Sequence, residues 1–174
     1  MITNEHMRRL LDTALPVDRE EVLPAPLQEI ADAAWGRSAS GILSPGGPPP
    51  EWTEAEAGTG PAELIRTELE VNDFRIDDED LVHDSGSYLR RAVSRGLLFA
   101  AACLRRAADL PEAGRLRAVV ITGVDDDFLT HGTTVKFFLH RGGLPDRYRD
   151  VERYPLEGIA VLGPDDLPSL GEAL

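Results

Sequence analysis

The residues best suited to chemistry lie in one short segment between two predicted strands. Asp125, Asp126 and Asp127 are adjacent, and His131 follows four residues after the last of them. Carboxylate oxygens are the ligands that hard divalent cations prefer, and imidazole is a common metal ligand. The segment therefore suggests a metal site built from Asp125, Asp127 and His131, which would suit a small metal-dependent hydrolase. The alternative interpretation is a solvated hairpin tip whose acids keep the edge of the sheet soluble.

A second acidic cluster precedes the longest apolar segment of the chain. Its members are Asp77, Asp78, Glu79 and Asp80. His83 and Asp84 follow shortly after, so this cluster also combines carboxylates with an imidazole. Its structural interpretation is stabilisation by the positive end of the helix that follows. If the sheet brings the two clusters together, a metal-assisted hydrolase becomes conceivable, but the sequence does not give the distance between them.

No motif in the sequence names a reaction. The chain contains neither a GxSxG elbow nor the glycine-rich phosphate loops GxxxxGK[ST] and GxGxxG. No pair of histidines has the spacing of metal ligands on one element; the four are His6, His83, His131 and His140. Cys103 is the single cysteine, which excludes an intramolecular disulfide. It lies in an apolar run, which predicts a buried side chain rather than a nucleophile.

A small basic and aromatic patch occurs in the polar segment 142–154. Three arginines and two tyrosines compose it: Arg147, Arg149, Arg153, Tyr148 and Tyr154. The patch could meet an anionic ligand or partner. The alternative is a surface of compensating ion pairs with the neighbouring acids.

The net charge of −13 bears most directly on partners. A strongly acidic surface repels the phosphates of nucleic acids and anionic membranes, so neither is an expected partner. It favours a basic protein partner, whose encounter it would steer. The leading hypothesis is therefore a non-enzymatic binding protein of the inhibitor or immunity type, without a cofactor, that presents Asp77–Asp80 and Asp125–Asp127. The alternatives are the metal-dependent hydrolase and an acidic secretion chaperone or structural subunit.

Length and composition indicate one globular domain over residues 1–174. The chain is 42% hydrophobic and 28% charged, as ordinary folded domains are. It has no apolar N-terminal segment of signal-peptide length and no run long enough to span a membrane. A cytoplasmic protein is the expectation, and its oligomeric state is left open.

Helical periodicity is clearest in the segment 85–110, which is expected to organise the fold. Its apolar residues recur at spacings of three and four around more than half of the helix, and its arginines occupy the remainder. Asp84 or Ser85 is a suitable N-cap. Shorter helices are predicted over 4–14, capped by Thr3 or Asn4, and from Pro26 to Trp35, where Gly36 would end the helix.

Strands are predicted over 62–76, 115–124, 133–141 and 155–162. The segment 115–124 is a nearly continuous run of β-branched and other apolar residues, as in a central strand buried on both faces. A strand is favoured over 62–76 because Ile65, Thr67, Leu69 and Val71 alternate with polar residues, although 61–69 also fits a helix. The resulting fold class is α+β: a mainly antiparallel sheet of about four strands with the long helix packed on one face.

A long loop is predicted over residues 36–61. Eleven of its 26 residues are glycine or proline, which disfavours regular structure and suggests a flexible linker. Ile42 and Trp52 are the side chains that could attach it to the domain, and burial of both would contradict the linker.

Overall fold

The described part of the chain forms an antiparallel sheet with helices on both of its faces. A computed structural model describes residues 1–15, 21–50, 58, 60–82, 87–124 and 132–170. The strands are β1 (Ile2–Thr3), β2 (Gly36–Arg37), β3 (Leu43–Ser44), β4 (Asp73–Ile76), β5 (Leu116–Gly123), β6 (Thr133–Leu139) and β7 (Glu157–Leu162). The α-helices are α1 (Glu5–Ala14), α2 (Ala25–Asp32), α3 (Pro61–Val71), α4 (Tyr88–Arg106) and α5 (Asp146–Arg149). Short 3-10 turns span Ala113–Arg115, Val151–Arg153 and Pro164–Leu170.

The main sheet has five strands in the order β1-β7-β5-β6-β4, and all neighbouring strands are antiparallel. β5 lies at its centre, where Val120 pairs with Val135 of β6 and with Ala160 of β7. The predicted α+β class, the antiparallel sheet and the long packed helix are therefore confirmed. β5 is buried on both faces, as its apolar sequence indicates.

α4 covers one face of the sheet, and it lies very close to the strands at Gly96. A Cβ atom at this position would be 2.9 Å from Cγ2 of Thr133 and 3.0 Å from Cγ1 of Val120. The absence of a side chain therefore sets the distance between helix and sheet. Val93, Leu97 and other residues of α4 join α1 and α2 in the larger hydrophobic core, and Cys103 is fully buried there as predicted.

α3 and the segment 142–156 cover the second face. Here a smaller core contains Ile65 of α3, Phe138 of β6 and Tyr148 of α5, packed against buried residues of β5 and β7. Burial raises the pKa of the Tyr148 hydroxyl above its usual range. The segment 142–156 is thus part of the packed structure although its sequence is polar and turn-rich.

Asn4 begins α1, as predicted, and also fixes the helix to the sheet. Its Oδ1 accepts hydrogen bonds from the N–H groups of Met7 and Ile159, both at 3.0 Å. Its Nδ2 donates to the carbonyl oxygen of Glu157 at 2.6 Å. One buried side chain therefore caps a helix and binds β7 at the same time.

The predicted strand over 62–76 is wrong for most of its length. Residues 61–71 form α3, and only Asp73–Ile76 is a strand. Pro61 lies in the first turn, where its fixed φ favours a helix and its missing N–H costs nothing. The alternating pattern misled because Glu68, which counts as polar in that pattern, is fully buried and paired with Arg141.

The flexible linker predicted over 36–61 is wrong for residues 36–50. β2 and β3 form a small hairpin in which Gly36 pairs with Ser44, and Ile42 and Leu43 are buried. Gly36 is accordingly not a helix cap, since α2 ends at Asp32. Trp52 lies outside the described residues.

The long helix is shorter than predicted, and one of its arginines lies inside. α4 spans Tyr88–Arg106, with Ser87 at the N-cap position; the predicted caps Asp84 and Ser85 lie outside the described residues. Arg95, expected on the polar side of the helix, is only 3% exposed. Within the described ranges, no helix combines the length and apolar content that crossing a bilayer requires.

Candidate functional site

The register of the sheet brings the strand ends that adjoin the two acidic clusters in the sequence to one end of the molecule. Ile76, the last residue of β4, pairs with Thr133, and Thr133 pairs with Thr122 of β5. Beyond this pair the N–H of Gly123 donates to the carbonyl oxygen of Gly132 at 3.2 Å. Asp77 follows Ile76 directly, and Asp125 follows Val124. We call this end of the sheet the acidic end. It comprises residues 77–82, the strand ends at Val124 and Leu156, and the neighbouring residues Glu21, Val22, Arg75, Arg91 and Arg95.

The residues of the predicted metal site lie outside the described part of the chain. This applies to Asp125, Asp126, Asp127 and His131. In the described ranges, no group of three or more histidine, cysteine, aspartate or glutamate side chains has an arrangement that could hold a metal ion. The metal site therefore stays a prediction, which a thermal-shift titration with Mg²⁺, Mn²⁺, Ca²⁺ and Zn²⁺ can test.

Arg95 fixes the first acidic cluster to α4. Its Nη1 and Nη2 each donate to a carboxylate oxygen of Asp80 at 2.6 Å, and Nη1 also donates to the carbonyl oxygen of Asp77 at 2.8 Å. Its Nε donates to Oε1 of Glu21 at 2.7 Å, and Glu21 in turn accepts from Arg91. Such two-point contacts fix the relative orientation of the guanidinium and the carboxylate because both groups are planar. The acidic segment is therefore attached to α4 through Arg95.

The charges in this network stabilise one another. The hydrogen bonds from Arg95 hold the pKa of the Asp80 carboxyl below its usual range. The bonds to Asp80 and Glu21 raise the pKa of the Arg95 guanidinium, and the bonds to Glu21 raise that of Arg91. All three groups remain ionised at neutral pH.

Asp78 is directed inward and does not contribute to the surface. It is 6% exposed, and its Oδ2 accepts a hydrogen bond from the hydroxyl of Tyr88 at the start of α4. Tyr88 is itself 2% exposed, and burial together with Asp78 raises the pKa of its hydroxyl. The pair anchors the acidic segment at a second point.

Asp77 and Glu79 are the members of the first cluster that face solvent without an ion pair in the described part of the chain. Both are exposed, and Oδ1 of Asp77 accepts from the N–H of Glu79 at 3.1 Å. Of the four predicted acids, Asp78 and Asp80 therefore hold the segment in place, and Asp77 and Glu79 face solvent.

Large apolar side chains are exposed beside these acids. Val82 is 65% exposed and lies two residues after Asp80. Leu156 is 58% exposed, and its carbonyl oxygen accepts from the N–H of Val124 at 3.0 Å. Val22, next to Glu21, is 69% exposed. Val82 thus adjoins the acidic cluster in sequence and Val22 adjoins Glu21, whereas Leu156 precedes β7, which β5 and β6 separate from β4 in the sheet.

The net charge of the acidic end is negative even after its arginines are counted. The described ionisable groups are Glu21, Asp77, Asp78, Glu79, Asp80, Arg75, Arg91 and Arg95. Five acids against three arginines leave −2, and the sequence adds three more acids directly after Val124. The field at this end therefore attracts cations.

Sequence reasoning missed the residues that fix the cluster. Arg91 and Arg95 are four residues apart on α4, and this spacing indicates that the two charges share one face of the helix. Their partner Glu21 lies 74 residues from Arg95, and no local pattern indicates it.

Comparisons of this chain with protein-family models, with curated proteins and with solved structures find no match.

Proposed function

We propose that this chain is a non-enzymatic binding protein of the inhibitor or immunity type that engages a basic protein partner through its acidic end. The observation that carries the proposal is the proximity of exposed apolar and exposed acidic side chains at one end of the sheet. Val82 and Asp77–Glu79 belong to the same short segment, which Arg95 and Tyr88 hold in place.

The composition of this surface suits protein recognition. Stable protein interfaces combine an apolar centre, which is desolvated on binding, with a charged rim that stays accessible to water. At the acidic end, Val82 supplies exposed apolar area in the same short segment as the exposed acids Asp77 and Glu79. Complementary charge on a basic partner would raise the association rate.

The anchoring of the segment also favours binding. A loop that is already ordered loses less conformational entropy when a partner docks. Asp80 accepts a hydrogen bond from Arg95, and Asp78 accepts one from Tyr88. These contacts hold the neighbouring Asp77 and Glu79 in fixed positions.

The test compares two double variants that change the net charge equally. Asp77→Asn with Glu79→Gln neutralises the acidic end. Asp109→Asn with Asp165→Asn neutralises two exposed acids near the opposite end of the sheet, where β5 begins and β7 finishes. Each immobilised protein is incubated with a lysate of the source organism, and retained proteins are identified by mass spectrometry at low and high salt.

The proposal predicts a basic protein that the wild type and the Asp109/Asp165 variant retain and the Asp77/Glu79 variant loses. Retention should also fall as salt is raised, because exposed charges are screened. Equal retention by both variants would contradict the role of the acidic end, and retention of no basic protein would contradict the proposed function.

A further inference from the structure

A groove on the second face of the sheet lies away from the acidic end. It has a volume of about 520 Å³ and runs between α3 and the segment 141–149. This volume is in the range of about 300–1,000 Å³ that small-molecule sites occupy. Its floor is apolar, formed by Ile65 and Leu69 of α3 and by Leu144, which all belong to the second hydrophobic core.

Three arginines and one acid, Asp146, are the charged groups of the groove, and one of the arginines is unpaired in the described part of the chain. The Arg141 guanidinium is paired with Glu68, whose carboxylate accepts hydrogen bonds from both of its terminal nitrogens. Arg149 pairs with Asp146 at 3.0 Å. Arg66 is exposed and has no hydrogen-bond or ion-pair partner in the described part of the chain. The rim of the groove therefore has an excess of positive charge on a chain that is strongly acidic as a whole.

Backbone donors lie beside these arginines. Gly142 and Gly143 line the groove, and within the described residues neither N–H donates a hydrogen bond. Gly142 has φ +103°, a conformation that favours glycine. Nη2 of Arg149 is 3.7 Å from the position of a Cβ on Gly143, so the guanidinium lies beside the Gly143 backbone. Adjacent free backbone N–H groups next to a cation are suited to an anionic head group.

We propose that this groove binds a small amphiphilic carboxylate. The carboxylate would pair with Arg66 and Arg149 near the Gly142–Gly143 backbone, and the apolar body would lie on Ile65, Leu69 and Leu144. A single carboxylate matches the groove because Asp146 and Glu68 already neutralise two of the three arginines. An apolar body matches it because Leu69 and Leu144 of the floor are only partly buried, and covering their aliphatic side chains is favourable.

Calorimetric titration with decanoate tests the proposal, with decyltrimethylammonium as a probe of the same chain length and opposite charge. The wild type should bind decanoate saturably at one site and should not bind the cation. Arg66→Gln with Arg149→Gln should weaken binding by about tenfold or more, since charge-assisted hydrogen bonds are lost. Arg105→Gln with Arg106→Gln, two exposed positions at the end of α4, is the matched control and should bind as the wild type does.

A second variant tests the location of the site without changing its charge. Ala62 is exposed in the first turn of α3 and lines the groove, so Ala62→Trp should fill the groove and abolish binding without disturbing the core. Addition of decanoate should shift the amide resonances of Gly142 and Gly143 in a ¹⁵N-labelled sample. The proposal is overturned if the wild type shows no saturable binding, if the cation binds equally well, or if the Ala62→Trp variant retains the affinity of the wild type.

Discussion

Two networks of carboxylate–arginine ion pairs lie in the interior of this molecule. One is closed within the protein, and the other continues to the surface. Glu68 is fully buried, and its partner Arg141 has a side chain that is only 12% exposed. Glu21 and Arg95 are both 4% exposed, but Arg95 also pairs with Asp80, whose side chain is 61% exposed. The first network is closed within the protein, whereas the second continues to the surface.

The two networks also differ in what their hydrogen bonds hold in place. In the closed network Glu68 also accepts from the N–H groups of Leu43 and Leu139, so all of its bonds join segments of this chain. In the open network the inner residues hold a segment whose neighbouring acids face solvent. We expect changes in the closed network to affect stability, and changes at the outermost acids of the open one to affect binding.

The largest effect is expected for Glu68→Ala. The change leaves the Arg141 guanidinium without a counter-charge and two buried N–H groups without an acceptor, so unfolding free energy should fall by about 3–5 kcal/mol. Urea unfolding measures this loss. Glu70→Ala, at an exposed position of the same helix, is the control and should change stability by less than about 0.5 kcal/mol. A loss below about 1 kcal/mol for Glu68→Ala would show that the closed network is not structural.

A smaller effect is expected for Arg95→Ala. Glu21 keeps Arg91 as a partner and Asp80 is accessible to water, so the loss should be about 2–3 kcal/mol rather than the full cost of an unpaired buried charge. Arg105→Ala, an exposed position in the last turn of α4, is the matched control. A loss equal to that of the control would contradict the anchoring of the acidic segment by Arg95.

For Asp80→Asn the expected loss at pH 7 is at most about 1 kcal/mol, because the pair with Arg95 is screened by solvent. The folded-state pKa of Asp80 is lowered by Arg95, so its contribution is present above the unfolded pKa of about 3.9. It is lost as the pH falls from that value through the folded pKa. Melting curves of both proteins should therefore converge in strong acid, and a difference that is constant with pH would contradict this assignment.

The smallest effect on stability is expected for Asp77→Asn with Glu79→Gln. Both side chains are exposed and neither has an ion pair in the described residues, so unfolding free energy should change by less than about 0.5 kcal/mol. A larger loss by urea unfolding would place these acids among the residues that hold the fold.

Elements with one clear period could be predicted from the sequence. The stripe of α4, the apolar run of β5 and the cap at Asn4 each depend on neighbouring residues, and the structure confirms them. α3 was predicted wrongly because a buried Glu68 makes sense only when Arg141, 73 residues away, is known. Local sequence patterns reflect only the polarity of each residue. They predict the wrong secondary structure where a charged residue is buried with a partner that is distant in the sequence.

The candidate site was predictable in composition but not in arrangement. The acids of 77–80 stand out in the sequence, and the antiparallel pairing of β5 and β6 was expected. The role of Asp78 and Asp80 as anchors could not be predicted, since Tyr88 and Arg95 become their partners only when α4 packs on the face of the sheet.

We propose that the acidic end recognises a basic partner, and the kinetics of association with that partner provide the decisive test. Once a partner has been isolated with the wild-type protein, its association rate is measured with the wild type, the Asp77/Glu79 variant and the Asp109/Asp165 variant at low and high ionic strength. The association rate should be lower, and should depend less on ionic strength, for the Asp77/Glu79 variant alone. Identical rates and salt dependences for the two variants would contradict it.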